Sequence, residues 1–201
     1  MRYGVFGGTF DPPHNGHLAL AQAALEQLNL DRVLWVVTAD PPHKQETPLT
    51  PVQHRLDMVT AAIDGRPQFD VSRVDIDRPG PHWAADTVAL LKQARPGDEL
   101  VYLMGSDSLR DLPTWGRPRE ILAKARLGVL QRPGVAVDLA QLEQDLPGLS
   151  QKVAFVSAPR LAVSSHDLRW RVAEGRPIDD QVPAGVAALI RARGLYRNPT
   201  Q

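Results

Sequence analysis

The chain has 201 residues, 23 of them Lys or Arg and 23 Asp or Glu, with 43% hydrophobic residues and no cysteine. That length supports one core of ordinary size, and the lack of cysteine excludes disulfide frameworks, thiolate zinc sites and cysteine nucleophiles. A formal net charge of zero argues against a nonspecific nucleic-acid coat or a polybasic membrane surface, so an anionic ligand has to be met by locally concentrated donors.

No run of 18 apolar residues is present, so no membrane span is expected. The first residues reach Gly7, Gly8, Asp11 and Pro12 before an apolar stretch can form, unlike a signal peptide. A soluble cytoplasmic protein with neither nucleic-acid nor membrane partners is expected. In chain order, short runs rich in Val, Leu and aromatics at 2–6, 32–37, 69–74, 100–104, 127–130 and 153–156 read as strands. Between them, helical periodicity places helices at 16–28, 51–63, 83–93, 117–124 and 139–146. Thr50-Pro51 gives a helix start, with Thr50 as N-cap and Pro51 in the first helical position, and Val52, Leu56, Val59 and Ile63 then fall on one face. This alternation predicts an α/β fold, a Rossmann-like doubly wound parallel sheet. After residue 160 the alternation stops. Two helices, 165–174 ended by Gly175 and 183–193 ended by Gly194, form a C-terminal helical appendage expected to pack on the sheet. The chain is read as one domain, 1–201, with a core of 1–160 and a helical part of 161–201.

The most informative stretch joins the first strand to the first helix: Gly7-Gly8-Thr9-Phe10-Asp11-Pro12-Pro13-His14-Asn15-Gly16-His17. In an open parallel sheet, ligands bind outside the carboxyl ends of the strands. Adjacent glycines let backbone N–H groups approach a ligand, and the N-terminus of the following helix favours an anion. A Gly-Gly turn alone is weak, and a lone histidine near a helix start is usually structural. Two of each within eleven residues at one strand end is a stronger signal. No Gly-Lys-Ser/Thr follows, and the pattern is not Gly-x-Gly-x-x-Gly.

This stretch resembles the signature of the nucleotidyltransferase superfamily that shares a T/H-x-G-H motif, here His14-Asn15-Gly16-His17. Within it the chain is most similar to the bacterial nicotinate-nucleotide adenylyltransferase family. The likeness runs through five blocks in order: the first turn; Pro41-Pro42-His43-Lys44; Asp86-Thr87; Gly105-Ser106-Asp107 with Leu112-Pro113-Thr114-Trp115; and Ser164-Ser165-His166-Asp167-Leu168-Arg169 followed by Val182-Pro183 and Gly194-Leu195-Tyr196.

The resemblance implies transfer of AMP from ATP to nicotinate mononucleotide, giving deamido-NAD and pyrophosphate, with Mg²⁺ accompanying ATP. The acceptor phosphate, with a second pKa near ~6, is already an anionic nucleophile at neutral pH, so alignment and charge stabilisation carry the reaction without a covalent intermediate. His14, His17 and Arg169 are the implied catalytic residues. ATP is expected at Gly7, Gly8, Thr9, Phe10, His14, His17, Gly105, Asp107, Ser164, Ser165 and Arg169. Nicotinate mononucleotide is expected at Lys44, Trp83, Ala84, Ala85, Trp115 and Gly116, with Trp115 stacking on the pyridine and backbone N–H groups receiving its carboxylate. Ser164 and Asp107 also read as ordinary N-caps, Lys44 as a solvated surface lysine, and Asp11 as a turn cap or a metal- or substrate-arranging group. His166 stands where the family commonly has Thr, and His82-Trp83-Ala84-Ala85 departs from the commoner Ser-Tyr-Thr-x. No Asp/Glu cluster has metal-ligand spacing, so no metal-binding residue is assigned. A preference for the nicotinamide mononucleotide and a non-catalytic nucleotide sensor are the alternatives.

Overall fold

The computed structural model describes residues 1–40, 49–131, 134–157 and 161–197. Six strands, β1 (Arg2–Gly8), β2 (Arg32–Val37), β3 (Phe69–Ser72), β4 (Glu99–Gly105), β5 (Arg126–Leu130) and β6 (Val153–Val156), form one sheet in the order β3-β2-β1-β4-β5-β6. Every neighbouring pair is parallel. The order reverses between β1 and β4, the switch point at which open α/β sheets bind ligands. The expected doubly wound sheet is therefore present.

A parallel sheet is covered on both faces, so its central strands are apolar at consecutive positions. β2 shows how the residues divide. Val33, Trp35 and Val37 enter a core that also holds Leu18, Ala21 and Leu25 of α1 (Asn15–Gln27) and Leu56, Val59 and Ile63 of α2 (Val52–Ile63). Leu34 and Val36 point the other way, into a core with Ala85, Val88 and Leu91 of α3 (Ala84–Ala94), Ile121 and Leu122 of α5 (Pro118–Lys124) and Leu142 of α6 (Leu139–Asp145). A short helix α4 (Ser106–Arg110) and a 3-10 turn, Leu112–Thr114, follow β4.

α7 (Ser165–Ala173) and α8 (Ala184–Arg193) correct one expectation. They pack on α2, not on the sheet: Leu168, Val186, Ala187 and Ile190 form a third core with Met58 and Ala62, and no strand residue belongs to it. α2 is thus apolar on two sides. Gly175 and Gly194 end these helices at φ +70° and +60°, as expected. Pro51 itself occupies the N-cap position of α2, while the Thr50 backbone serves other contacts, so the assignment of Thr50 as cap is also corrected. β3 stops at Ser72, before the 74 expected for it, because a turn begins at Val74.

Candidate active site at the switch point

β1 runs through Gly8, and the chain then turns through Phe10 at φ +49° and a cis Asp11–Pro12 bond to α1. Phe10 is buried, its ring edge-on to Phe6 and to His17 and tilted against Trp35. This aromatic base supports His17, which Phe6 also meets edge-on.

His14 is the N-cap of α1 and His17 its third residue, and the two form a reciprocal cap. The His17 N–H donates to His14 Nδ1 at 3.3 Å, and the His14 N–H donates to His17 Nδ1 at 3.2 Å. The rings stack at 3.7 Å. Because each Nδ1 accepts, each neutral ring carries its proton on Nε2 and presents it as a donor. Burial pushes the His14 pKa down to about 4, so at neutral pH it is an uncharged donor. Gly16 lies between them because a Cβ there would sit 3.0 Å from the His14 ring and from Val163.

Two clefts meet at this point. One, about 640 Å³, is lined by Phe6, Gly7, Gly8, Phe10, His17, Gly105 and Ser108 among others; the second, about 620 Å³, by Asp75, His82, Trp83, Ala84, Thr87 and Gly116 among others. Gly7, Tyr102 and Trp115 border both, so the clefts form one groove across the carboxyl ends of β1 and β4. Of the residues expected at a nucleoside triphosphate, Gly7, Gly8, Phe10, His17 and Gly105 line the first side; of those expected at the pyridine nucleotide, Trp83, Ala84, Trp115 and Gly116 line the second. Gly116 lets the Trp83 indole lie directly on the backbone, where a Cβ would come within 2.6 Å of the ring. Trp115 stands edge-on to Tyr102 at 6.1 Å. Burial first, then the Asp75 charge, pushes the Tyr102 hydroxyl pKa well up, so it stays protonated.

Some expected residues play a part other than lining the groove. Ala85, in the first turn of α3, is fully buried and does not line the groove, whereas Ala84 does. Asp107 lies in the first turn of α4, between Gly105 and Ser108. The Ser164 hydroxyl caps α7, accepting from the Asp167 N–H at 3.1 Å and donating to its carboxylate at 2.7 Å. Ser165 donates to the Pro12 carbonyl at 2.8 Å and Arg169 to that of Asp11 at 2.8 Å, so the start of α7 is pinned to the cis-proline turn. Thr9 gives its carbonyl to Arg55. Lys44, with the block Pro41 to His43, lies outside the described residues.

Five contributors were given no settled role in the sequence. Asp11, whose role was left open, accepts from the Tyr196 hydroxyl at 2.6 Å and the Thr50 N–H at 3.1 Å, which makes it an anchor. Arg55, 1% exposed, donates to the carbonyls of Thr9, Thr38, Ala39 and Thr50 at 2.8–3.1 Å and so ties the first turn to both ends of the β2–α2 connection. Its signal was present: a charge at 55 sits on the apolar stripe of Val52, Leu56 and Val59. Asp75 and Arg78 pair at 2.9 Å behind Trp83. His82 is buried, accepting from the Asp40 N–H at 2.9 Å.

An open parallel sheet with a glycine- and histidine-bearing first turn at its switch point defines a nucleotide-binding α/β protein, and the family model described as cytidylyltransferase-like matches residues 5–171. Curated relatives named probable nicotinate-nucleotide adenylyltransferase include one from Thermomicrobium roseum, 47% identical over 98% of this chain and 92% of its own length. Another, from Thermus thermophilus, is 41% identical over 98% of this chain and the whole of its own. The chain belongs to the cytidylyltransferase-like family, among the nicotinate-nucleotide adenylyltransferases. The solved Plasmodium falciparum nicotinic acid mononucleotide adenylyltransferase complexed with NaAD shares the fold, with a TM-score of 0.78 at 19% identity over 98% of this chain and 97% of that one.

Proposed function

We propose that this chain transfers the adenylyl group of ATP to the 5′-phosphate of nicotinate mononucleotide, forming deamido-NAD and pyrophosphate in NAD biosynthesis. The observation that carries the reading is the divided groove, with His17 of the stacked histidine pair bordering one half, Trp83 the other, and Gly7 and Trp115 where they join. That division suits two nucleotides meeting at their phosphates.

An acceptor phosphate oxygen attacks the α-phosphorus, one P–O bond forms as the α–β bridge breaks, and pyrophosphate departs. The acceptor is already ionised, so no base has to be recruited. The work left to the protein is alignment and stabilisation of developing charge. His14 and His17 offer Nε2–H donors to the phosphates at the positive N-terminal end of α1, with His17 the stabiliser of the transition state. Ser164, Ser165 and Arg169, at the start of α7, are assigned to the departing phosphates, and Lys44 to the acceptor phosphate. Gly105 and Asp107 are assigned to the adenosine. Trp115 stacks on the pyridine, whose carboxylate meets backbone N–H groups near Trp83 to Ala85 and at Gly116.

Among the described residues no group of three or more His, Asp and Glu side chains is placed to hold a metal ion, and both Asp11 oxygens have protein donors. Mg²⁺ would accompany ATP as part of the substrate and would supply neutralisation of phosphate charge. We assign the whole of 1–201 to one nucleotidyltransferase unit, because Arg169 and Tyr196 of the helical part bond to Asp11 of the core. A cytoplasmic location follows from this role, and no described helix is long and apolar enough to cross a membrane.

The deciding experiment is pyrophosphate release from ATP with nicotinate mononucleotide, its amide counterpart and phosphopantetheine as acceptors. Release with the first acceptor above the other two supports the reading. Preference for the amide would reassign the substrate, and no release with any acceptor would leave a nucleotide sensor.

A further inference from the structure

A row of four charged side chains of alternating sign begins in the pyridine half of the groove, at Asp75. Asp75 pairs with Arg78 at 2.9 Å, Arg78 approaches Asp86 at 4.0 Å, and Asp86 pairs with Arg117 at 2.7 Å. The two aspartates and two arginines cancel, but they are not placed alike. Asp75 is 2% exposed and is the one carboxylate that lines this half of the groove among the described residues. A buried anion there repels a carboxylated ligand and favours an uncharged one unless a cation is held against it.

Arg78 is that cation, and it is tied to the ligand-facing backbone as well. Besides Asp75, its Nη2 donates to the Trp83 carbonyl at 3.5 Å and the Thr87 hydroxyl at 3.4 Å, while that hydroxyl donates to Asp75 at 2.7 Å. The Trp83 carbonyl also accepts from the N–H groups of Asp86 and Thr87, the first bonds of α3. Arg78 thereby fixes the residue just ahead of Ala84, which lines this half of the groove at the start of α3.

We infer that the Asp75–Arg78 pair is a specificity-determining positioning element for the pyridine substituent: Arg78 cancels Asp75 and holds the start of α3, so that its N–H groups receive an anionic substituent in preference to a neutral one. The inference rests on the proposed function and adds the source of its selectivity. Asp75 lines the groove and Arg78 stands behind it, bonded to Trp83 and Thr87, so the effect of the pair is electrostatic and geometric.

The test is the ratio of kcat/KM for nicotinate mononucleotide to that for the amide in the starting protein, Arg78→Met, Asp75→Asn and the double variant. Arg78→Met is expected to lower the ratio about tenfold, and Asp75→Asn to raise it by about threefold or more. The double variant is expected within about threefold of the starting ratio, since both charges leave together. Equal losses on both acceptors, with unmoved ratios, would reduce the pair to a structural brace and overturn the inference. If Arg78→Met fails to fold, as judged by its unfolding transition, Asp75→Asn decides alone: a raised ratio supports the inference and an unchanged one overturns it. Activity of the starting protein with neither acceptor defeats the proposed function, and this inference with it.

Discussion

His14 and His17 spend one ring nitrogen each on the other's backbone, and this exchange fixes what they can offer a phosphate. Their spacing and position in the turn were readable from residue order. Their protonation was not, because it depends on burial. His14 falls from 6.5 to about 4 on folding, so between those values the unfolded chain binds the extra proton. Stability from this residue is therefore complete above about pH 6.5 and declines as pH falls towards 4, by about 2 kcal/mol between pH 7.5 and 5. Urea midpoints across that range should show the loss, and His14→Asn, which keeps a capping side chain, should remove most of it. An identical slope in the variant would place the proton uptake elsewhere. For His17 the expectation is kinetic. His17→Ala should lower kcat by about 10²- to 10³-fold, the scale of losing one preorganised donor, with the KM for nicotinate mononucleotide within about threefold of its starting value. An unchanged kcat would remove His17 from the mechanism.

The helices and strands followed the sequence closely where a strong period met a clear stop. β2 kept its expected bounds, and α8 ended at Arg193 with Gly194 beyond it. Less was foreseeable where a tertiary contact decides the local shape. Arg117 takes φ +58° ahead of α5 while its guanidinium reaches Asp86 of α3, a pairing that no local pattern announces. The same loop carries Gly116, whose missing Cβ is what the Trp83 ring occupies. Gly116→Ala should push that indole into the pyridine half of the groove. The predicted result is a rise of about tenfold in KM for the pyridine nucleotide, with KM for ATP nearly unchanged, because the ATP half is bordered by Gly105 and Ser108. Equal rises in both would show that the loop serves the groove as one body.

At the largest distances the sequence was least informative, since contacts between remote segments leave no periodic trace. The helical part was visible as two capped helices, yet its seat on α2 depended on Met58 and Ala62, which lie off the face that meets the sheet. Its last turn then reaches the site: Tyr196, at φ +64°, donates to Asp11 across 185 residues. Burial, followed by the Asp11 charge, pushes the Tyr196 pKa well up, so it remains a donor throughout the working range. Asp11 in turn holds the Thr50 N–H, and its carbonyl holds Arg169. One carboxylate therefore joins the first turn, the approach to α2 and the C-terminal tail. Tyr196→Phe removes the hydroxyl and leaves a buried carboxylate oxygen short of a donor, at a cost of about 1–3 kcal/mol. For a chain of this length each kcal/mol lowers Tm by about 2–4 °C. Turnover should also fall, because Arg169 and the cis-proline turn are positioned from the same residue. A lowered Tm with turnover unchanged would make the tail a brace for the fold alone; an unchanged Tm would mean that Asp11 finds another donor.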